Sequence, residues 1–326
     1  MSNLDQSPAE LMCERRGDAP AGPVVLPYRD VPLGGPRAMT VRRSLPQRAQ
    51  SLIGAWCFVD HYGPGDVSRT GGMAVPGHPH TGLQIASWLF TGEVEHRDTT
   101  GTHALVRPGQ LNLMTAGSGI AHSEYSPATT VLRGAQLWIA LPEADRFAAP
   151  GFAHYEPPVT DVDGAKVLVF LGSLFGQTSP VPMYSALVGA EVTLAAGHSL
   201  DVKLDAGHEH GFLCDTGSLA VGGAVAQPGE VVFQPAGASA LTLEASPSEP
   251  TRVLVLGGRP FGEQIVMWWN FIGRSHEEVV AFRDQWQRQR ADRTPGPPGR
   301  YGAFPEVWEH TLPAPELPNV RLRSRG

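Results

Sequence analysis

Residues 78–90 read HPHTGLQIASWLF. Two histidines flank a proline and lead straight into an apolar run with the length and composition of a strand. In an extended chain, side chains at i and i+2 share a face, so His78 and His80 aim in one direction. Pro79 can donate no ladder hydrogen bond, which places the pair at a strand edge or entry. Continuing the alternation puts Gly82, Gln84 and Ala86 on the same face, where small or polar residues leave room in front of the imidazoles. Two imidazoles held side by side in an apolar interior repel each other when protonated. A metal ion lets both stay neutral and occupies their lone pairs.

A second pair follows in TAGSGIAHSEYS, where His122 and Glu124 again stand at i and i+2 after a glycine-rich turn. An H-x-H and then an H-x-E, with a hairpin between them, is what a β-barrel needs to converge four ligands. Three imidazoles and a carboxylate suit Fe(II), Mn, Co, Ni or Cu better than Ca or Mg. A structural zinc would favour thiolates, and no cysteine stands near either motif. The candidate ligands are therefore His78, His80, His122 and Glu124. His96, His103, His154, His198, His208, His210, His276 and His310 read as ordinary surface or core residues.

Outward from these motifs, short apolar stretches alternate with Gly/Pro turns from Val24 onward. Gly 38 and Pro 30 together exceed a fifth of the chain, which favours many short strands over long helices. RPGQLNLMTAG, ending at Gly117, and QPGEVVFQPAG, ending at Gly237, share a phrase, and each follows a Gly-containing hairpin. This predicts an internal duplication of a β-domain. Counted from that phrase, Thr242 stands where His122 does and Glu244 matches Glu124, so the second copy, despite its own H-x-H at His208 and His210, is expected to carry no metal. The length of 326 residues fits two domains. The expected plan is a flexible leader (1–22), an N-terminal metal-binding domain (23–150), a degenerate C-terminal copy (162–290) and a Pro-rich tail (291–326), with the boundary in 147–161. One helix is predicted from SHEEVVAFRDQWQRQR, where Ser275 and Glu278 have capping-box spacing and Val279, Phe282 and Trp286 recur at helical intervals. It should pack outside the barrels, and Phe304 and Trp308 should hold the tail against the body.

The formal net charge is −7, the only lysines are Lys166 and Lys203, and no long basic run occurs. Duplex DNA is thereby disfavoured as a direct ligand. Cys13, Cys57 and Cys214 are odd in number and far apart, consistent with free thiols in a reducing compartment. No run approaches a membrane span and the N-terminus has no apolar core, so a cytoplasmic protein is expected.

HPHTGLQIASWLFTGEVEHRDTTG followed by RPGQLNLMTAGSGIAHSE resembles the signature of the pirin family within the cupin superfamily. The resemblance extends through VRRSLPQRAQSLIGAWCFVDHYGP and GAQLWIALP, covering about residues 36–142, and continues more weakly from Lys166 to Trp286, best at GEQIVMWWNFIGRSHEEV. It implies an all-β bicupin, two antiparallel jelly-roll-like barrels face to face, with one divalent metal in the N-terminal barrel, Fe(II) first and Mn, Co, Ni or Cu as alternatives. The ligands carried over by position are the same four. Where many relatives continue Arg-Gly-Phe-Glu, this chain has Thr81, Gly82, Leu83 and Gln84. Position 84 is where cupins place a glutamate ligand, but in pirins the later glutamate takes that role, so Gln84 leaves metal binding intact, while Thr81 and Leu83 alter the pocket entrance. The resemblance implies a quercetin 2,3-dioxygenase-like enzyme acting on a flavonol and O2, with Glu124 as general base. The alternative it implies is a non-catalytic, iron-dependent redox sensor that binds a transcription factor or metabolic enzyme. A monomer is expected.

Overall fold

The computed structural model describes residues 22–33, 39–66, 72–126, 131–292 and 298–326. Most of the leader and Cys13 lie outside them. The chain forms two sandwiches of identical plan. In the first, a seven-stranded sheet runs Gly151–Tyr155, Leu111–Thr115, Leu83–Thr91, Val131–Ala140, Trp56–Asp66, Met39–Leu45, Arg29–Leu33. It faces a four-stranded sheet ordered Ala74–His80, Ile120–Tyr125, Val94–Asp98, His103–Val106. In the second, Val231–Gln234, Glu209–Thr216, Thr251–Gly258 and Leu187–Leu194 repeat the central order of the large sheet, and Ser199–Lys203, Ala240–Ala245, Leu219–Val221 and Ala224–Ala226 repeat the small one. The duplication read from the shared phrase is thus a duplication of topology, and the fold is an all-β bicupin.

The two large sheets face each other across one apolar core. Trp56, Trp88, Leu111, Leu113 and Leu137 meet Phe170, Leu187, Leu213, Val231 and Leu256 there. Buried indoles need partners for their N–H groups, and here they find them across the halves: Trp88 Nε1 donates to Glu191 Oε2 at 2.7 Å and Trp56 Nε1 to the Gly257 carbonyl at 3.1 Å. Asp215, fully buried, adds an ionic clasp. It accepts from His61 Nε2 (2.7 Å) and Arg133 Nε (2.7 Å) of the first half and from Arg252 Nε (2.6 Å) of the second. Burial pushes the Asp215 carboxyl up, but its hydrogen bond from His61 and the two arginines outweigh that and hold it below the usual range.

Two segments pack against the half opposite their neighbours in sequence. Val24–Leu26 pairs antiparallel with Val231–Phe233 of the second sandwich. The hairpin Val266–Trp268/Phe271–Gly273, the helix His276–Ala291 and the tail pack on the outside of the first sandwich, in a cluster that joins Ala121 to Phe271, Val279, Phe282, Trp286, Tyr301 and Trp308. The helix begins as predicted, with the Ser275 side chain accepting from the Glu278 N–H. Glu278 reaches back to the N–H of Arg274 rather than of the cap residue itself. Within residues 147–161, Gly151–Tyr155 extends the first large sheet. Cys57 and Cys214 are buried free thiols in different halves, each pushed up to about 12 by burial.

Candidate metal centre

The strand Ala74–His80 pairs antiparallel with Ile120–Tyr125, placing His78 opposite His122 and His80 opposite Ile120. The three imidazoles converge in the interior of the first sandwich. Ring centroids lie 5.1 Å apart for His78–His80, 4.3 Å for His78–His122 and 5.0 Å for His80–His122. One nitrogen from each lies within 4.8 Å of the others, and among the described residues this is the one such group. None is more than 1% exposed.

Their polar accounting is incomplete in a telling way. His78 Nδ1 bonds the Pro76 carbonyl at 2.8 Å, which requires Nδ1 to donate and leaves Nε2 unprotonated and without a partner. His122 Nδ1 lies 3.3 Å from His96 Nδ1, and its Nε2 is likewise buried and unpartnered. Neither ring nitrogen of His80 makes a hydrogen bond of good geometry, although the Asn270 backbone lies near enough to favour its protonated form. Burial holds His78 down to about 3. Burial also holds His80 and His122 well below the usual imidazole range, with the neighbouring His78 adding to it. Three neutral imidazoles with lone pairs aimed at a dry common space suit a transition-metal ion and little else.

Glu124 lies on the same strand as His122 and is 2% exposed. A bulge intervenes, so that Glu124 stands opposite Val75 rather than Pro76, and its carboxylate is not part of the compact three-histidine group. Gln136 Nε2 donates to Glu124 Oε1 at 3.1 Å, and Ser87 Oγ donates to Gln136 Oε1 at 3.0 Å. Oε2 is buried with no partner. Burial raises the Glu124 pKa.

Aromatic side chains border the cluster. Trp138 meets His80 edge-on at 5.2 Å and stacks on Phe58 at 4.1 Å, and its Nε1 is buried without a partner. Phe152 lies 4.9 Å from His96.

The face expected to continue through Gly82, Gln84 and Ala86 does not. Gly82, at φ 72°, turns the chain from one sheet into the other, and a Cβ there would sit 2.3 Å from the Ile272 carbonyl oxygen. Beyond this turn the parity inverts. Ser87 faces Gln136 inside the sandwich, Ala86 packs in the core between the halves, and Gln84 bonds Thr115. Thr81 and Leu83 are fully buried, and the Thr81 carbonyl takes the Ile272 N–H at 3.0 Å. They lie under the hairpin rather than at an entrance.

His96, read from sequence as an ordinary residue, is a neighbour of the centre. It is buried, touches His122, and its Nε2 lies 3.0 Å from Asp98 Oδ2. Its signal was available in VEHRD, where Val94, His96 and Asp98 alternate with outward Glu95 and Arg97.

In the second sandwich, Thr242 does not occupy the place of His122. Its hydroxyl bonds Asp201 on the outer face, and Glu244 is exposed. The inward pairs are Leu243 opposite Leu200 and Leu241 opposite Val202. His210 is buried beside Phe212, and His208 pairs with Asp205 at 3.5 Å.

Comparison with known proteins agrees with this architecture. The family profile described as Pirin matches residues 38–139, and that described as Pirin C-terminal cupin domain matches residues 189–292. A Pseudomonas aeruginosa protein, whose name assigns it provisionally to the quercetin 2,3-dioxygenases, is 40% identical over 292 residues, 89% of each chain. A pirin-like protein of Caulobacter vibrioides is 33% identical over 269 residues, 77% of this chain and 88% of that one. The crystal structure of quercetin 2,3-dioxygenase from Acinetobacter baumannii superposes with a TM-score of 0.85 at 36% identity, covering 93% of this chain and 98% of that one. No helix among the described residues is long and apolar enough to cross a membrane. Matched in both halves, and across most of its length by relatives at this level of identity, the chain belongs to the pirin family.

Proposed function

We propose that the protein is a metal-dependent dioxygenase acting on a flavonol-like aromatic substrate and O2. The observation that carries this reading is the set of buried, unpartnered donors: His78 Nε2, His80, His122 Nε2 and Glu124 Oε2. The three histidines would hold the metal, with Glu124 beside them as fourth ligand and as base. A divalent transition metal, Fe(II) or one of Mn, Co, Ni and Cu, would supply Lewis acidity toward a substrate hydroxyl and a redox partner for O2.

The chain's own residues supply the rest. The Glu124 carboxylate takes the proton of the substrate hydroxyl on an oxygen that is not at that moment bound to the metal. Gln136 fixes Oε1 and is itself oriented by Ser87, so the carboxylate presents Oε2 without a rotamer search. Burial raises the basicity of Glu124, which brings its proton affinity closer to that of the hydroxyl it serves. Trp138, edge-on to His80, carries Nε1 as a buried donor still without an acceptor, a feature that fits an oxygenated aromatic ring beside the metal. The substrate class comes from the quercetin 2,3-dioxygenases to which the chain is similar.

Metal analysis and aerobic quercetin bleaching on one preparation test the reading. In Glu124→Gln, metal should remain bound while turnover falls by about 100-fold or more, since the substitution keeps the shape and removes the basic oxygen. If the wild-type protein loaded in turn with iron, manganese, cobalt, nickel and copper never bleaches quercetin, the dioxygenase reading fails and the redox-sensing alternative takes its place.

A further inference from the structure

The metal reading leaves one chain of buried polar groups unexplained, running from the turn after Val94–Asp98 to the back of His122. Asp98 is 1% exposed. Its Oδ1 accepts from Thr100 N (2.8 Å), Thr100 Oγ1 (2.6 Å) and Thr102 N (3.1 Å), and its Oδ2 faces His96 Nε2 at 3.0 Å. His96 Nδ1 in turn faces His122 Nδ1 at 3.3 Å. The polarity of each link follows from the charge state of its members. An ionised carboxylate can only accept, so His96 Nε2 carries a proton and donates it. Asp98 already accepts from Thr100 and Thr102, and an imidazolium at His96 would set a charge 3.3 Å from His122 Nδ1 and against the Phe152 ring in a buried site, which is costly. In neutral His96, Nδ1 is therefore an acceptor, and His122 Nδ1 must donate to it. That leaves the His122 Nε2 lone pair facing His78 and His80.

We propose that Asp98 and His96 are positioning residues that lock His122 in the Nδ1–H tautomer, so that Nε2 is available as a ligand. The inference rests on the metal reading for its purpose, but the tautomer itself is a property of the metal-free protein. Pro76 does the same for His78 through a backbone carbonyl, whose polarity no side-chain substitution can reverse. The His122 lock is made of side chains and can be reversed. In Asp98→Asn, Oδ1 stays with the N–H groups of Thr100 and Thr102, and the new NH2 faces His96. Nε2 of His96 must then accept, its Nδ1 donates, His122 Nδ1 accepts, and the His122 proton moves to Nε2, into the ligand position.

Long-range nitrogen–proton NMR correlations of the metal-free protein read the tautomers directly. Wild type should show His122 as Nδ1–H and Asp98→Asn should show it as Nε2–H. Co(II), used as probe and followed by its visible absorption, should bind Asp98→Asn and His96→Leu about 10- to 100-fold more weakly than wild type. His96→Gln, whose amide can donate to Asp98 and accept from His122, should retain affinity within about threefold, a rescue that a purely space-filling role would not require. Finding Nε2–H at His122 in the wild-type protein overturns the proposal, as does an Asp98→Asn variant with unchanged tautomer and affinity. A wild type that binds no Co(II) yet shows the Nδ1–H tautomer would count against the metal reading and leave the lock standing.

Discussion

Lowering the pH of the chelated, metal-free protein from 7 to 5 is expected to cost about 2 kcal/mol of stability through His78 alone. In the unfolded chain its imidazole takes up a proton near 6.5, whereas burial in the fold holds it off until about 3. The stability tied to the neutral form is therefore complete above pH 6.5 and is lost progressively as the pH falls toward 3. His210, held down to about 4 by burial, adds a similar amount. His80, His122 and His61 are displaced in the same direction by the same leading cause. His78 and His210 together thus remove about 4 kcal/mol between pH 7 and 5, set against a total of about 5–15 kcal/mol for a typical fold. Urea unfolding in chelator at stepped pH measures this. The slope of stability against pH near 5.5 should correspond to about two protons or more, and His210→Leu should remove about one of them. A change of less than about 1 kcal/mol between pH 7 and 5 would refute the argument, because it would mean that the histidines are hydrated and protonated in the folded protein.

His80→Ala should abolish most metal binding while His210→Ala leaves it unchanged, measured by metal content after dialysis; equal loss in both would place the site elsewhere. Asp215→Ala strands two arginines and a buried histidine between the halves and should cost about 3 kcal/mol, seen as a lowered urea midpoint. Trp308→Ala removes an indole that covers Gly77 and donates to Ser123 Oγ at 2.9 Å, on the strands that carry His78 and His122, and should cost about 3 kcal/mol in the same assay.

The sequence was most legible where one periodicity ran unbroken. His78 with His80, the helix from Ser275 and the repeated Pro-Gly phrase all depend on local spacing, and the structure keeps them. What could not be read were the places where a tertiary contact resets the period. At Gly82 the chain leaves one sheet for the other, and the contact that demands glycine is the carbonyl of Ile272, nearly two hundred residues away. Nothing local announces it, so strict alternation from His80 points to Gln84 and Ala86, which lie on the opposite face. His96 failed for the opposite reason. Its alternation with Asp98 was visible, but only the pairing of its strand with Ile120–Tyr125, which sets Asp98 opposite His122, brings His96 against the histidine cluster.

The mismatch at Thr242 follows from the same physics. Leu111 and Leu113 in the first copy, and Val231 and Phe233 in the second, face the shared core, so the offset set by the phrase holds along that strand. At the next strand His122 points inward in one copy and Leu243 in the other, one residue beyond that offset. The turn between is one residue longer in the second copy, and with a side-chain period of two a single residue exchanges the faces. The inward pair is then His78–His122 in one sandwich and Leu200–Leu243 in the other. Leucines gain by burial alone. Imidazoles in the same position keep unpartnered nitrogens in a dry interior, a cost that a bound ion would remove. The first sandwich should therefore gain stability on metal binding, and the second, filled with leucine and valine at those positions, should not.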